Sequence, residues 1–282
     1  MWKGYEKLDP PPTRVQPVSL TILAKAVEMA ARRSIPRYQA SADLLVLGFF
    51  FLLRPGEYAA TTTPTNNTKP FAVEDAAFFF GLRRYSALAA DLPSLNDSSK
   101  CTFATLDLDD QKNGVRGETM AHKPTGHALL CPVQSLFRRV WYLRDNHCEP
   151  STPLFSYRSG TSWQSITSKH LTQELRDAAS LVETQTGVRP ECISARSLRA
   201  GGATALLSAD TDPKIIEMIG RWHSNSMFRY LHVHALHSNP NKNFAQNMLR
   251  NGNFSLVPDD AGNFYLGPSS NPYPHISEPD PS

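Results

Sequence analysis

Two residues in this chain carry chemistries that suit one another. Arg199 sits in Ser194-Ala195-Arg196-Ser197-Leu198-Arg199-Ala200-Gly201-Gly202, among apolar and small residues at helical spacing. About thirty positions on, Tyr230 follows the turn-like run Ile219-Gly220-Arg221-Trp222-His223. A phenol oxygen can act as a covalent nucleophile. A guanidinium is the fixed cation whose paired donors best match a phosphate. Together they read as an arginine and a tyrosine meeting over one phosphodiester. Taken singly, Tyr230 reads as a half-buried tyrosine with its hydroxyl at an edge, and Arg199 as a structural ion-pair partner.

Three further groups qualify as candidates. The apolar run 44–53 leads straight into Arg54-Pro55-Gly56-Glu57, which places Arg54 at an interior edge with Glu57 three residues away and able to pair with it. An ordinary helix end with a solvated charge is the equal alternative. Lys112 lies in Gln111-Lys112-Asn113, within a turn where a long side chain can reach outward, and a solvated turn lysine is the default reading there. His232, His234 and His237 cluster near His223. His234 and His237 could share a helix face, but no cysteine or carboxylate completes a ligand set of known spacing, so no metal is expected.

These residues need a scaffold. Residues 1–17 hold four prolines and no periodicity, and read as an extended arm. Ser19 can cap a first helix whose apolar face is Leu20, Leu23 and Val27. Ser41–Leu53 reads as a second helix, apolar almost all round and therefore buried. Val73–Phe80 reads as a strand, 83–99 as an irregular insertion, Cys101–Leu108 as a strand, 109–117 as a turn and Glu118–His122 as its return strand. Pro132 opens a helix with Val133, Leu136, Phe137, Val140, Trp141 and Leu143 on its apolar face, and with Arg138, Arg139 and Arg144 elsewhere. Residues 150–165 read as loop and Ser168–Leu181 as a helix. Ser197–Leu207 carries Arg199; its Gly201-Gly202 pair suggests close approach of a backbone or a ligand. Asp212 caps Pro213–Ile219, Ser224–Val233 carries Tyr230, and Phe244–Leu249 is a last short helix. Residues 251–282 read as a flexible, proline-rich tail that cannot form a packed element.

Composition sets the outer limits. The 282 residues suffice for one large domain. Hydrophobic residues at 40% and charged residues at 20% fit a globular protein. A net charge of +3 permits a nucleic-acid partner without demanding one. Cys101, Cys131, Cys148 and Cys192 form no CxxC pair and read as reduced thiols, and residues 1–17 do not read as a signal peptide, so the expectation is a protein that is not secreted. The apolar run 44–53 is too short to span a bilayer, so no membrane is expected.

In order and spacing, the residues 54–57, the lysine of a hairpin turn, Ser197-Leu198-Arg199-Ala200-Gly201-Gly202-Ala203-Thr204, Gly220-Arg221-Trp222 and the following Tyr230 resemble the catalytic domain of tyrosine recombinases, the phage-type integrases, most closely the versions in eukaryotic mobile elements. The resemblance covers roughly residues 18–235, within a catalytic domain drawn at 18–250. It implies an α+β, mainly α-helical core with a small antiparallel sheet. It implies Arg54 and Arg199 as the two phosphate-binding arginines, Glu57 as the accompanying acid, Lys112 (with Lys123 a nearby competitor) as the general acid and Tyr230 as the nucleophile. The family carries His or Trp in the turn before the nucleophile; counting back from Tyr230 reaches Arg221, and Trp222 is taken to fill the role, with His223 in reserve. Where the family has the first residue of His-x-x-Arg, this chain has Arg196, which can donate to a phosphate but cannot shuttle a proton near neutral pH. Eighteen extended residues also cannot supply the helical DNA-clamping domain that most relatives carry first. The resemblance implies double-stranded DNA as partner, self-association on DNA, no metal, no nucleotide cofactor, and a nuclear location in a eukaryote or a cytoplasmic one otherwise. A catalytically impaired DNA-binding relative is the alternative.

Overall fold

The computed structural model describes residues 15–61, 69–108, 118–222, 244–251, 256–258 and 264–266. The chain is an α+β fold in which roughly half of the described residues are helical. At its centre lies α2 (Pro36–Phe50), against which α1 (Leu20–Ala31), α4 (Pro132–Asp145) and α6 (Arg196–Ser208) pack. Every residue of α2 from Ala40 to Phe50 is buried, as the all-round apolar sequence requires. Each Leu or Phe withdrawn from water there contributes about 1.5–3 kcal/mol. The helix begins five residues before the expected Ser41, because Pro36 supplies the fixed φ of a first helical position. It ends before the expected Leu53, because Leu52 turns into the left-handed region at φ +50°.

Helix α1 starts where expected, with the Ser19 hydroxyl accepting from the Ile22 N–H at 3.4 Å. The segment before it is held: the Gln16 N–H donates to the Cys192 carbonyl (3.0 Å) and the Val18 N–H to the Ser197 carbonyl (3.1 Å). A short α3 (Pro55–Tyr58) follows α2. The main sheet is antiparallel in the order β2-β1-β3-β4, built from β1 (Ala76–Phe80), β2 (Arg83–Ser86), β3 (Phe103–Leu108) and β4 (Glu118–His122). Its inner face meets α4 through the edge-on pair Phe78–Phe137, with ring centroids 4.8 Å apart. Beyond α4 come the hairpin β5 (Ser156–Ser159) and β6 (Ser162–Ser165), then α5 (Ser168–Thr186), α6, α7 (Pro213–Gly220) and α8 (Phe244–Asn251). No helix among the described residues is long and apolar enough to cross a membrane.

Several expectations are corrected. The stretch 83–99 is not wholly irregular: β2 pairs with β1 as an edge strand whose charged Arg83 and Arg84 conceal it from a hydrophobic-pattern reading. Residues 150–165 are not all loop: Ser-rich β5 and β6 pair without a hydrophobic alternation to announce them. The strand 73–80 is shorter, with a 3-10 turn over Val73–Asp75 in front of it. Helix α5 breaks at Val182 (φ −125°), directly after the expected end at Leu181, and a further helical turn then carries it to Thr186 before Gly187 in the left-handed region. Arg139, read as lying off the apolar face of α4, is nonetheless buried, with its guanidinium donating to the Leu154 and Ser156 carbonyls. Within the stretch read as an unstructured tail, β7 (Leu256–Pro258) pairs with β8 (Phe264–Leu266).

The Gly201-Gly202 pair of α6 does serve close approach, to backbone rather than to a ligand. A methyl on Gly201 would collide with the Val18 carbonyl, and one on Gly202 with the Phe49 carbonyl and the Leu52 side chain. Helix α6 therefore lies directly on the main chain of α2 and of the segment leading into α1. For Gly202→Ala, the helix-propensity gain of about 1 kcal/mol is outweighed by overpacking at the upper end of about 1–3 kcal/mol. The expected net loss is about 2 kcal/mol, read as a lower urea midpoint.

A second test concerns Glu174 of α5. It accepts from the Ser41 hydroxyl (3.2 Å) and from Arg37 (3.4 Å), while Oε2 is buried without a hydrogen-bond partner among the described residues. Burial pushes its carboxyl up from 4.5 to about 7, against the opposing pull of Ser41 and Arg37. A raised folded-state value means the contribution to stability is fully present below about pH 4.5 and is lost as pH rises through about 7. Glu174→Gln should remove that slope, so denaturation across this window should find the variant gaining on the parent as pH rises.

Candidate active site

The site is built where two helices end. Helix α2 closes on Leu52 at φ +50°, with the Leu53 N–H reaching back to the Gly48 carbonyl (3.1 Å). Helix α7, capped at its start by the Asp212 carboxylate, closes in the same way on Arg221 at φ +57°. There the Trp222 N–H donates to the Glu217 carbonyl and the Arg221 N–H to the Met218 carbonyl, both at 3.0 Å. This is the six-to-one and five-to-two pattern that terminates helices, normally on glycine. Leucine and arginine in this conformation are strained, at a cost of about 1–2 kcal/mol each.

Arg199 lies between these two ends, 5% exposed. Its Nη1 donates to the Leu52 carbonyl (2.8 Å) and its Nη2 to the Gly220 carbonyl. Both acceptors belong to helix C-termini, where the aligned peptide dipoles favour a cation. The Trp222 ring covers the guanidinium at 4.2 Å from its centroid, a cation–π contact worth about 0.5–2 kcal/mol. Gly220 is required by that ring, because a methyl there would fall inside the indole. The Gly-Arg-Trp run thus has a local explanation: glycine admits the ring, arginine takes the left-handed turn, and tryptophan covers Arg199.

Glu57 forms the second node. It is 3% exposed and its carboxylate accepts from the Arg54 backbone N–H (2.7 Å) and from Arg221 Nη2 (2.8 Å). The Arg54 guanidinium lies 3.6 Å away, with its side chain 21% exposed. The expected Arg54–Glu57 pair is present, but the closer side-chain partner of Glu57 is Arg221. Arg221 is 1% exposed along its side chain and also meets the Met120 sulfur of β4. Tyr58, next in the chain, donates its hydroxyl to the Ala195 carbonyl at 2.8 Å and so ties α3 to the start of α6.

Residues far apart in sequence therefore share one corner: Arg54 and Glu57 after α2, Arg199 on α6, and Arg221 and Trp222 after α7. Among the described residues, three guanidiniums and one carboxylate share this corner, a positive balance suited to an anion. Arg196, on the first residue of α6, is exposed to solvent, and so is Lys123 at the end of β4. Lys112, His223, Tyr230, His232, His234 and His237 lie outside the described residues. Two contributors escaped sequence reading, Met120 and His122, which the two-residue period of β4 puts on one face. The His122 ring is buried against Phe50 and Phe51, and its Nε2 donates to the Phe50 carbonyl (2.8 Å). Burial pushes its pKa down to about 4, so it is a neutral structural donor at neutral pH.

Removing Glu57 would take from the buried Arg221 guanidinium the carboxylate that accepts its hydrogen bond. Loss of one partner of a buried pair costs about 3–5 kcal/mol. Glu57→Ala is expected to lower unfolding free energy by that amount in a denaturant titration, and an effect under about 1 kcal/mol would mean the pair is solvated.

No protein-family model matches the sequence, and no curated protein matches it significantly.

Proposed function

We propose that the chain breaks and rejoins DNA strands by transesterification, in the manner of a tyrosine recombinase. The observation that carries this reading is the convergence of Arg54, Glu57, Arg199 and the Gly220-Arg221-Trp222 turn on one corner, although they span most of the chain. The finer assignment of the α+β fold, to the recombinase catalytic core, is part of the proposal. In the proposed reaction the Tyr230 oxygen attacks a DNA phosphorus and the bond to the 5′ oxygen breaks. Lys112 gives the departing oxygen its proton, leaving a 3′-phosphotyrosyl link. A 5′ hydroxyl of a second strand then attacks that link and releases the tyrosine. The bond energy stays in the covalent intermediate, so the scheme uses neither metal nor nucleotide.

Arg54 and Arg199 would offset the charge that builds on the non-bridging oxygens, each preorganised donor being worth about 3–4 kcal/mol in the transition state. Arg199 enters the reaction already oriented by two carbonyls and an indole, so little reorganisation accompanies charge development. Recombination joins two DNA ends, so double-stranded DNA and self-association on it belong to the same reading.

A second reading has its own support. Arg196 stands exposed where the family carries histidine, and both of the Arg199 bonds described above go to the protein's own backbone. On that reading the chain binds DNA without cutting it. A nicked duplex whose cleaved fragment diffuses away separates the two. Covalent adduct on the denaturing gel, absent in Tyr230→Phe and slowed about a hundredfold or more in Arg199→Lys, supports the enzyme. Salt-sensitive binding without adduct supports the second reading. No binding at low salt would dismiss both.

A further inference from the structure

Arg221 invites a different question from the other two arginines. It holds a left-handed backbone conformation that glycine would adopt without strain, at φ +57° and ψ +45°. A strained residue persists only where its surroundings over-determine it. Here the surroundings are specific. Nη2 donates to Glu57 at 2.8 Å, and Nη1 meets the Met120 sulfur. The side chain is 1% exposed, so the guanidinium faces protein on all sides. It touches three elements at once: the end of α7 by its own backbone, α3 through Glu57 and β4 through Met120. Met120 stands opposite Leu106 in the β3–β4 ladder, and His122, two residues on, is bonded to the Phe50 carbonyl at the end of α2.

We propose that Arg221 is a latch that holds β4, and with it the β3–β4 ladder, against the corner that carries Arg54 and Arg199. The inference rests on the DNA-breaking reading only for its consequence: Arg221 is a positioning residue rather than a contact to phosphate. Two features favour the latch. Arg54 retains solvent exposure while Arg221 has almost none. Glycine would relieve the turn, yet the position carries a side chain that reaches Glu57 and Met120 together.

The test uses Arg221→Gly, which relaxes the backbone while deleting the guanidinium, and Met120→Ala, which removes only the β4 end of the latch. Amide hydrogen exchange is followed across the whole chain. A latch predicts that exchange in β3 and β4 in Arg221→Gly quickens by about tenfold or more beyond any rise shared with the amides of α1 and α4, with a smaller such excess in Met120→Ala. The salt dependence of duplex binding is then compared with that of Arg54→Ala. A lost phosphate contact lowers the slope by about one. Arg54→Ala should show that drop and Arg221→Gly should not. Where the parent forms adduct, Arg221→Gly should slow its formation about tenfold at saturating DNA with the affinity unchanged, a split that a general loss of folded protein does not produce. Unaltered β4 exchange overturns the latch, and so does a slope reduced as in Arg54→Ala. If the parent forms no adduct, the cleavage reading fails, while exchange and slope still decide the latch. If Arg221→Gly does not fold, the exchange pattern of Met120→Ala decides it.

Discussion

A guanidinium buried between two helix ends is the constraint on which the rest of this corner depends. Removing a charge from water is expensive, and burial without compensation is not sustained. Arg199 is compensated by geometry: two carbonyls at helix C-termini accept its protons and an indole covers its face. That arrangement dictates where α2 and α7 must stop. It accounts for the turns at Leu52 and Arg221, both left-handed without glycine, because each presents or flanks a carbonyl aimed at the same cation. The close contact of α6 with α2 through Gly202 sets the distance over which Arg199 reaches the Leu52 carbonyl.

The Glu57 node has a different logic. A single buried carboxylate joins Arg221 and the Arg54 backbone, and stands beside the Arg54 guanidinium. It draws the Arg54 loop and the α7 turn together and leaves the corner, among the described residues, with a positive balance of charge. Such a corner is stable only while each charge keeps its neighbours. It is also preorganised, since the dipoles and cations are oriented during folding rather than when an anion arrives. For a reaction that builds negative charge at phosphorus, this is the useful property. Neutral His122 completes the frame by bonding the last turn of α2 to the sheet without adding charge.

Much of the scaffold was legible from the residues. Ser19, Pro132 and Asp212 announced helix starts, the alternation in 101–108 announced a strand, and the turn after it announced the return strand 118–122, because capping, periodicity and turn chemistry are local effects. The Gly201-Gly202 pair was legible as a close approach but not as to which partner. The stretches that were misread lack local signals. Edge strand β2 is charged, β5 and β6 are serine-rich, and their pairing is decided by neighbours along the ladder rather than by their own pattern. Arg139 was placed away from the core by its charge, whereas two backbone carbonyls supplied by the following segment let it be buried.

Sequence alone determined which chemical groups were available: arginines after an apolar helix and within a small-residue helix, an acid three residues from the first, and a Gly-Arg-Trp turn. Order and spacing carried that information, since each motif is shaped by its own few residues. Tertiary structure decided the pairing. Glu57 could have served Arg54 alone, yet its closest side-chain partner comes from 164 residues further along. Trp222 could have faced a ligand, yet it covers Arg199. Such choices depend on which helix ends meet in space and on which buried charges are left to neutralise one another, and no stretch of chain carries that information by itself.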